Sequence, residues 1–224
     1  MNKKHIKIIA EITVIIVCTA SIGYIAYSGV WVEWITGEWR NEYDFFISLY
    51  PKEPVYNVTL YLPILMVKGE VSSLMFQMDY PSNWTWNITE TEHGKMLKIS
   101  ADFISVEGNT IRIRVKTGHV VNTQNPVGNE PVLYPRYNET PTEHEIEITA
   151  KYEYQSYMYA EYNTSTTNKL SVGIWMEGSK YRTYSLPYPG SQGASYTDRI
   201  YYTIIGGSQG WHAVNGTLQI GGRV

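Results

Sequence analysis

Residues 110–116 read Thr-Ile-Arg-Ile-Arg-Val-Lys, and this stretch decides the class of fold. Ile111, Ile113 and Val115 alternate with Arg112, Arg114 and Lys116. A strand turns successive side chains to opposite faces, so this period of two gives one apolar face and one cationic face. A helix would mix the two kinds around its circumference. Upstream, Met96–Val106 is also strand-like, and Glu107, Gly108 and Asn109 supply turn chemistry, so the two segments are expected to pair as a hairpin. Further back, Glu42–Tyr50, Val55–Leu62 and Val71–Tyr80 read as strands, separated by Pro51–Pro54 and Pro63–Glu70.

Downstream, Gly118–Thr142 holds Pro126, Pro131, Pro135 and Pro141 and reads as a long loop or linker. A second group of strands follows: Glu143 to about Tyr162, Lys169–Glu177, Lys180–Leu186, Thr197–Ile205 and Trp211–Ile220. In the first of these, Glu143, Glu145 and Glu147 alternate with His144, Ile146 and Ile148. No segment after residue 40 has a convincing helical period. The chain is therefore expected to be mainly β, with an antiparallel β-sandwich of immunoglobulin-like type over residues 42–224. The break at 118–142 allows either one sandwich or two packed sheets or subdomains.

The N-terminus reads differently. A basic segment, residues 1–7, carries Lys3, Lys4 and Lys7, and an apolar stretch, residues 8–32, follows it. Glu11 is the one charge in that stretch, and the 21 residues from Ile12 to Val32 carry none. About 20 apolar residues suffice to span a bilayer as a helix. Cations before the stretch and Glu33, Glu38, Glu42 and Asp44 after it orient such a helix with its N-terminus in the cytoplasm and the β-domain outside. Tyr24, Tyr27, Trp31, Trp34 and Trp39, partly in a juxtamembrane segment 33–41, form an interfacial aromatic belt. The expected partner is thus a lipid bilayer and the location a cell membrane crossed once. Two alternatives remain open at this point. Cys18, Thr19 and Ala20 before Ser21 resemble a signal-peptide cleavage site. Glu11 within the apolar helix resembles a pilin-type leader, although Ile6 stands where such leaders carry a small residue.

Composition narrows the function classes. A net charge of -3 and a pI near 6.0 argue against nucleic acid as a partner. The absence of a glycine-rich phosphate loop argues against a nucleotide. Cys18 is the only cysteine, so no disulfide forms within the chain and thiolate metal sites are not expected. No cofactor is expected. The 20 Tyr and 7 Trp against 4 Phe favour half-wet sheet faces, where a polar tip on an aromatic ring is an advantage.

Six of the 13 Asn residues begin an Asn-x-Ser/Thr triplet: Asn57, Asn83, Asn87, Asn138, Asn163 and Asn215. Chance would give about two, so these are candidate N-glycosylation sites on an exported domain. Tyr152, Tyr154, Tyr157, Tyr159 and Tyr162 are a candidate ligand platform. On one strand Tyr152 and Tyr154 share a face, while Tyr157 and Tyr159 share the other unless a bulge intervenes.

Catalytic and metal patterns fail. Gly206-Gly207-Ser208-Gln209-Gly210 fits a nucleophile elbow, but only His212 follows and no later acid completes a triad. A glycine-rich turn explains it better. His5, His93, His119, His144 and His212 lack metal-ligand spacing. The expectation is a chain that is not an enzyme.

The basic start from Asn2 to Lys7, the short apolar anchor and the stretch Val55-Tyr-Asn-Val-Thr-Leu-Tyr-Leu-Pro63 resemble archaeal-type membrane-anchored cell-surface glycoproteins with β-sandwich domains. In outline the chain is also similar to archaeal pilin-like subunits. The resemblance implies a role in surface structure, adhesion or envelope assembly, with other envelope proteins or copies of the same chain as partners. A pilin-like filament subunit and a carbohydrate or peptide binding module are the alternatives.

Overall fold

The computed structural model describes residues 13–24, 39–142, 150–165, 167–184, 190–206 and 209–222. The chain divides into two compact units, one of Met1–Trp39 with Arg182–Gln192 and one of Arg40–Tyr181 with Gly193–Val224.

In the first unit, residues 13–24 form a helix whose side chains are all exposed. Its polar side chains turn back on its own backbone: Thr19 donates to the carbonyls of Ile15 and Ile16 (2.9 and 3.0 Å), and Ser21 to that of Val17 (2.7 Å). Such bonds let hydroxyls sit on an apolar helix with no donor left unmet. Among the described residues no helix is long and apolar enough to cross a membrane. Residues 8–12 and 25–32 of the expected span, and all of the basic segment 1–7, lie outside the described residues.

The second unit is built almost wholly of antiparallel β-structure. In chain order the strands are β1 (Trp39–Pro51), β2 (Val55–Leu62), β3 (Ile64–Val67), β4 (Glu70–Val71), β5 (Trp84–Thr91), β6 (Gly94–Ile104) and β7 (Asn109–Lys116). They continue with β8 (Val132–Tyr134), β9 (Tyr137–Thr142), β10 (Ala150–Asn163), β11 (Lys169–Tyr184), β12 (Gly190–Ile205) and β13 (Gly210–Gly222). The large sheet runs β5-β6-β2-β10-β13-β12-β11-β1-β7, with β9 pairing to β10 beside β2. A small sheet runs β4-β3-β8.

Two short connections force the large sheet to curl. Only residues 52–54 join β1 to β2, and only 105–108 join β6 to β7. In the sheet order β1 and β2 are five strand spacings apart, and β6 and β7 seven. At about 4.8 Å per spacing, a flat sheet would separate these pairs by about 24 and 34 Å. An extended chain covers at most about 3.6 Å per residue, so links of this length reach only about 14 and 18 Å. The β1/β7 end must fold back over the β2/β6 end, and one sheet then supplies both layers of a sandwich-like fold.

The side chains between the layers follow the pleat. Phe45, Ile47 and Leu49 of β1, Leu60 and Leu62 of β2, Ile99 of β6, Met158 and Ala160 of β10, and Val172, Ile174 and Met176 of β11 are all fully buried and belong to one core cluster. Leu65 of β3, Leu74, Met75, Val121, Val132 and Leu133 join the same cluster. Removing this much apolar surface from water is the main stabilising term.

Several sequence expectations are corrected. β6 and β7 are not a hairpin, because β6 already has both edges filled, by β2 and β5, while β7 pairs with β1. The strand order also departs from the immunoglobulin-like division into two separate sheets of similar size. Within Val71–Tyr80, residues Ser73–Gln77 form a 3-10 helix, capped by Ser72, whose hydroxyl accepts from Leu74 N at 3.4 Å. Lys169–Glu177 and Lys180–Leu186 are not separate strands. Gly178 is no turn there, for a Cβ at that position would lie 2.2 Å from the Tyr196 ring, so close packing selects the glycine. The expected loop 118–142 contains β8 and β9, and the expected separator 63–70 contains β3. Residues 143–149 lie outside the described residues.

Gly108, in the β6–β7 crossing, has φ of +71°, and a Cβ on it would come within 2.1 Å of Tyr50 and 2.7 Å of the Leu49 carbonyl oxygen. Gly108→Ala should destabilise the chain by about 2 kcal/mol or more, from left-handed strain and overpacking together. Gly118→Ala, with open space around it, should leave the denaturation midpoint nearly unchanged. Equal midpoints for the two variants would remove the case for the tight crossing.

Candidate functional site

The outer face of β10 and its neighbours carries a row of residues aligned by hydrogen-bond register. Trp211 of β13 stands opposite Tyr159 of β10, Tyr159 opposite Tyr61 of β2, Tyr61 opposite Lys98 of β6, and Lys98 opposite Asn87 of β5. Across these strands the rings touch. Tyr61 and Tyr159 meet edge to face at 5.2 Å, Tyr159 and Trp211 at 5.4 Å, and Lys98 Nζ lies 5.8 Å from the Tyr61 ring centre. Edge-to-face packing is the favoured aromatic geometry, so the row is a stable relief rather than loose side chains. The Tyr159 hydroxyl donates to Glu161 (3.1 Å), and this bond raises its pKa.

The β5–β6 turn extends the surface. His93 stacks on Tyr157 at 3.8 Å with the planes 5° apart and meets Trp211 edge-on at 4.6 Å. Tyr137 packs edge-on to Tyr157, and its hydroxyl donates to the His93 carbonyl (3.3 Å). Beside the row lies a cleft of about 390 Å³, lined by Thr59, Tyr61, Tyr159, Glu161, Trp211 and residues 89–92. That volume falls within the range of small-ligand sites.

The structure divides the tyrosine cluster between faces. Tyr157 and Tyr159 point outward into this surface; Tyr154 and Tyr162 are buried in the core, and Tyr152 is half-buried against it. Tyr61, Trp211, His93, Tyr137 and Lys98 complete the surface and were not singled out by their sequence context. Their strands meet only through long-range pairing. All six triplet asparagines, Asn57, Asn83, Asn87, Asn138, Asn163 and Asn215, are exposed, and Asn138 donates to Gln155 at 3.4 Å. The other described asparagines include buried Asn168.

Two polar clusters lie elsewhere. Asp198 of β12 is fully buried and accepts from Tyr154 OH (2.7 Å), Leu133 N (2.8 Å) and Arg136 Nη1 (2.8 Å). Burial pushes its carboxyl above the usual range against the opposing pull of Arg136 and these hydrogen bonds. Tyr43 donates to buried Glu130, and His119 Nε2 lies 2.7 Å from the same hydroxyl. Burial and the adjacent Glu130 raise the Tyr43 pKa. Neither cluster places a nucleophile beside a base in the triad manner. Among the described residues no group of three or more His, Cys, Asp or Glu side chains is placed to hold a metal ion. Gly207 and Ser208, like His5 and His144, lie outside the described residues.

Toward the other end of the sheet the outer face is a ladder of cations and rings. Arg199 lies over Trp175 (5.7 Å), Trp175 stacks on Phe46 (5.9 Å), and Arg112 lies over Phe46 (6.0 Å). Asp44 accepts from both Arg112 and Arg114, its cross-strand partner, while Arg114 Nε also reaches Glu42 at 2.9 Å.

Comparison with protein families, with curated proteins and with solved structures finds no match to this chain. The reading of the site therefore rests on its own chemistry.

At Asp44 burial acts to raise the carboxyl pKa, but hydrogen bonds from Arg112 and Arg114 outweigh it and hold it below the usual range. A depressed carboxyl contributes stability above its unfolded pKa of about 3.9 and loses it as pH falls through the folded value. Asp44→Asn should therefore be less stable than the parent at neutral pH, and the gap should close as pH drops below about 4. Denaturant unfolding at a series of pH values checks this; a gap independent of pH would assign Asp44 a packing role only.

Proposed function

We propose that this chain is a non-enzymatic, membrane-anchored extracytoplasmic β-domain of a cell surface, and that its outer aromatic row binds carbohydrate. The observation that carries the reading is the row Trp211–Tyr159–Tyr61 beside its cleft. A pyranose ring has an apolar C–H face and a polar rim. Aromatic rings fixed by edge-to-face contacts match the first. Lys98, Glu161 and Thr59 around them offer donors and acceptors to the second. The rings are half-buried at the surface, so little conformational entropy remains to be lost on binding.

The anchored, outward-facing setting is supported by the uncharged stretch 12–32 with its flanking charges, and the exposed triplet asparagines fit the same setting. A carbohydrate-binding face on such a domain suits a role in surface structure, adhesion or envelope assembly.

The test is a glycan panel on the full chain in detergent, produced without glycosylation. Parent protein should bind, and Tyr159→Ala or Trp211→Ala should weaken binding about tenfold, a loss of about 1.4 kcal/mol. Trp175→Ala, on the other part of the sheet, should bind as the parent does. Absence of binding, or equal loss in all three variants, would remove this function.

A further inference from the structure

We infer that the carbohydrate on this platform is the chain's own: an N-linked glycan on Asn87 lies along the row Lys98, Tyr61, Tyr159 and Trp211. The inference rests on the carbohydrate reading above and names its ligand. Four antiparallel registers place Asn87 at the end of this row, on the same outer face as the rings. At about 4.8 Å between strands, Tyr61 is about 10 Å from Asn87 and Trp211 about 19 Å, a span that a short oligosaccharide covers. Asn87 is exposed on β5, the strand that ends the run of the large sheet among the described residues. Thr89, the hydroxyl residue of its triplet, lines the cleft that leads to Tyr61 and Trp211.

Two other triplets that flank the platform are worse placed. Asn215 shares β13 with Trp211, but Tyr157 with His93 stacked on it occupies the intervening row, opposite Ala213. Asn57 adopts φ of 51°, which turns the strand at that point, and the exposed pair Tyr56 and Phe103 stands beside it. Of these three, Asn87 alone heads a register row that contains Tyr61, Tyr159 and Trp211.

The attachment needs a lipid-phosphate-linked oligosaccharide. Asn87 Nδ2 forms a bond to the anomeric carbon and loses a proton, and the lipid phosphate departs with the electrons of the broken C–O bond. Once attached, the glycan is held at high effective concentration, so weak ring contacts suffice to keep it docked.

The experiment uses the full chain from its natural membrane. Glycopeptide mass spectrometry reads occupancy of Asn87, and hydroxyl-radical footprinting reads the oxidation rates of Tyr61, Tyr159 and Trp211 in the parent and in Asn87→Gln and Asn215→Gln. We expect Asn87 to be occupied, and the three rates to rise several-fold in Asn87→Gln but not in Asn215→Gln. An unmodified Asn87, or rates that stay at the parent level in Asn87→Gln, overturns the inference. If the unglycosylated chain nonetheless binds free glycans through Tyr159, the platform reading stands and only its tethered occupant falls; if it binds none, both fall.

Discussion

The pleat of β10 assigns each of its side chains to one of two environments, and the inner and outer chemistry of the molecule depend on that assignment together. Tyr154, Ser156, Met158, Ala160 and Tyr162 face the core, while Tyr157 and Tyr159 face outward. β13 holds one edge of β10 over eleven consecutive positions, from Ala150↔Ile220 to Ala160↔Gly210, and β2 and β9 divide the other edge. A slip of one residue would expose Met158 and Tyr154 and bury Glu153 and Glu161. The same slip would remove Tyr159 from its place between Tyr61 and Trp211. The aromatic row is thus as strongly specified as the core, although it is built on the wet face.

Asp198 shows what else the inner face must hold. A carboxylate with no exposure is costly to bury, and the cost is offset only by complete hydrogen bonding. Its partners come from three places in the chain: Leu133 in the small sheet, Arg136 after it and Tyr154 on β10. Tyr196, two residues before Asp198, adds a bond from its hydroxyl to the Pro131 carbonyl at 2.7 Å. Arg136 also lies 3.9 Å from the Tyr154 ring centre. Geometry of this kind fixes one arrangement of a proline-rich segment that has little regular structure of its own.

Strand identity was legible wherever one face is dry and the other wet, as in Thr110–Lys116 and Val55–Leu62, because period two records that asymmetry directly. Pairing was not legible. The turn-like Glu107-Gly108-Asn109 has the composition of a hairpin, but β6 pairs with β2 and β7 with β1, strands far away in sequence. Gly178 lies between two apolar runs of one continuous strand, and what selects the glycine is the ring of Tyr196 on another strand. The Ser73–Gln77 helix is a single capped turn, too short for periodicity to reveal. In the site, the shared face of Tyr157 and Tyr159 followed from parity. Tyr61, Lys98 and Trp211 could not be added, because their nearness to Tyr159 exists only in the register of β2, β6 and β13.

Among the described residues β5 and β7 end the run of the large sheet. Unpaired backbone at such margins is a template on which another chain can crystallise as an extra strand. β7 presents Arg112, Arg114 and Lys116 on its outer face, and β5 presents Asn87. Arg112 and Arg114 are matched by Asp44 and Glu42, so one margin is flanked by solvated ion pairs, and a bulky polar substituent on Asn87 would screen the other. Charged and solvated margins of this kind disfavour fusion of one sheet with another, so contact between copies, where it forms, falls to the faces of the sheet.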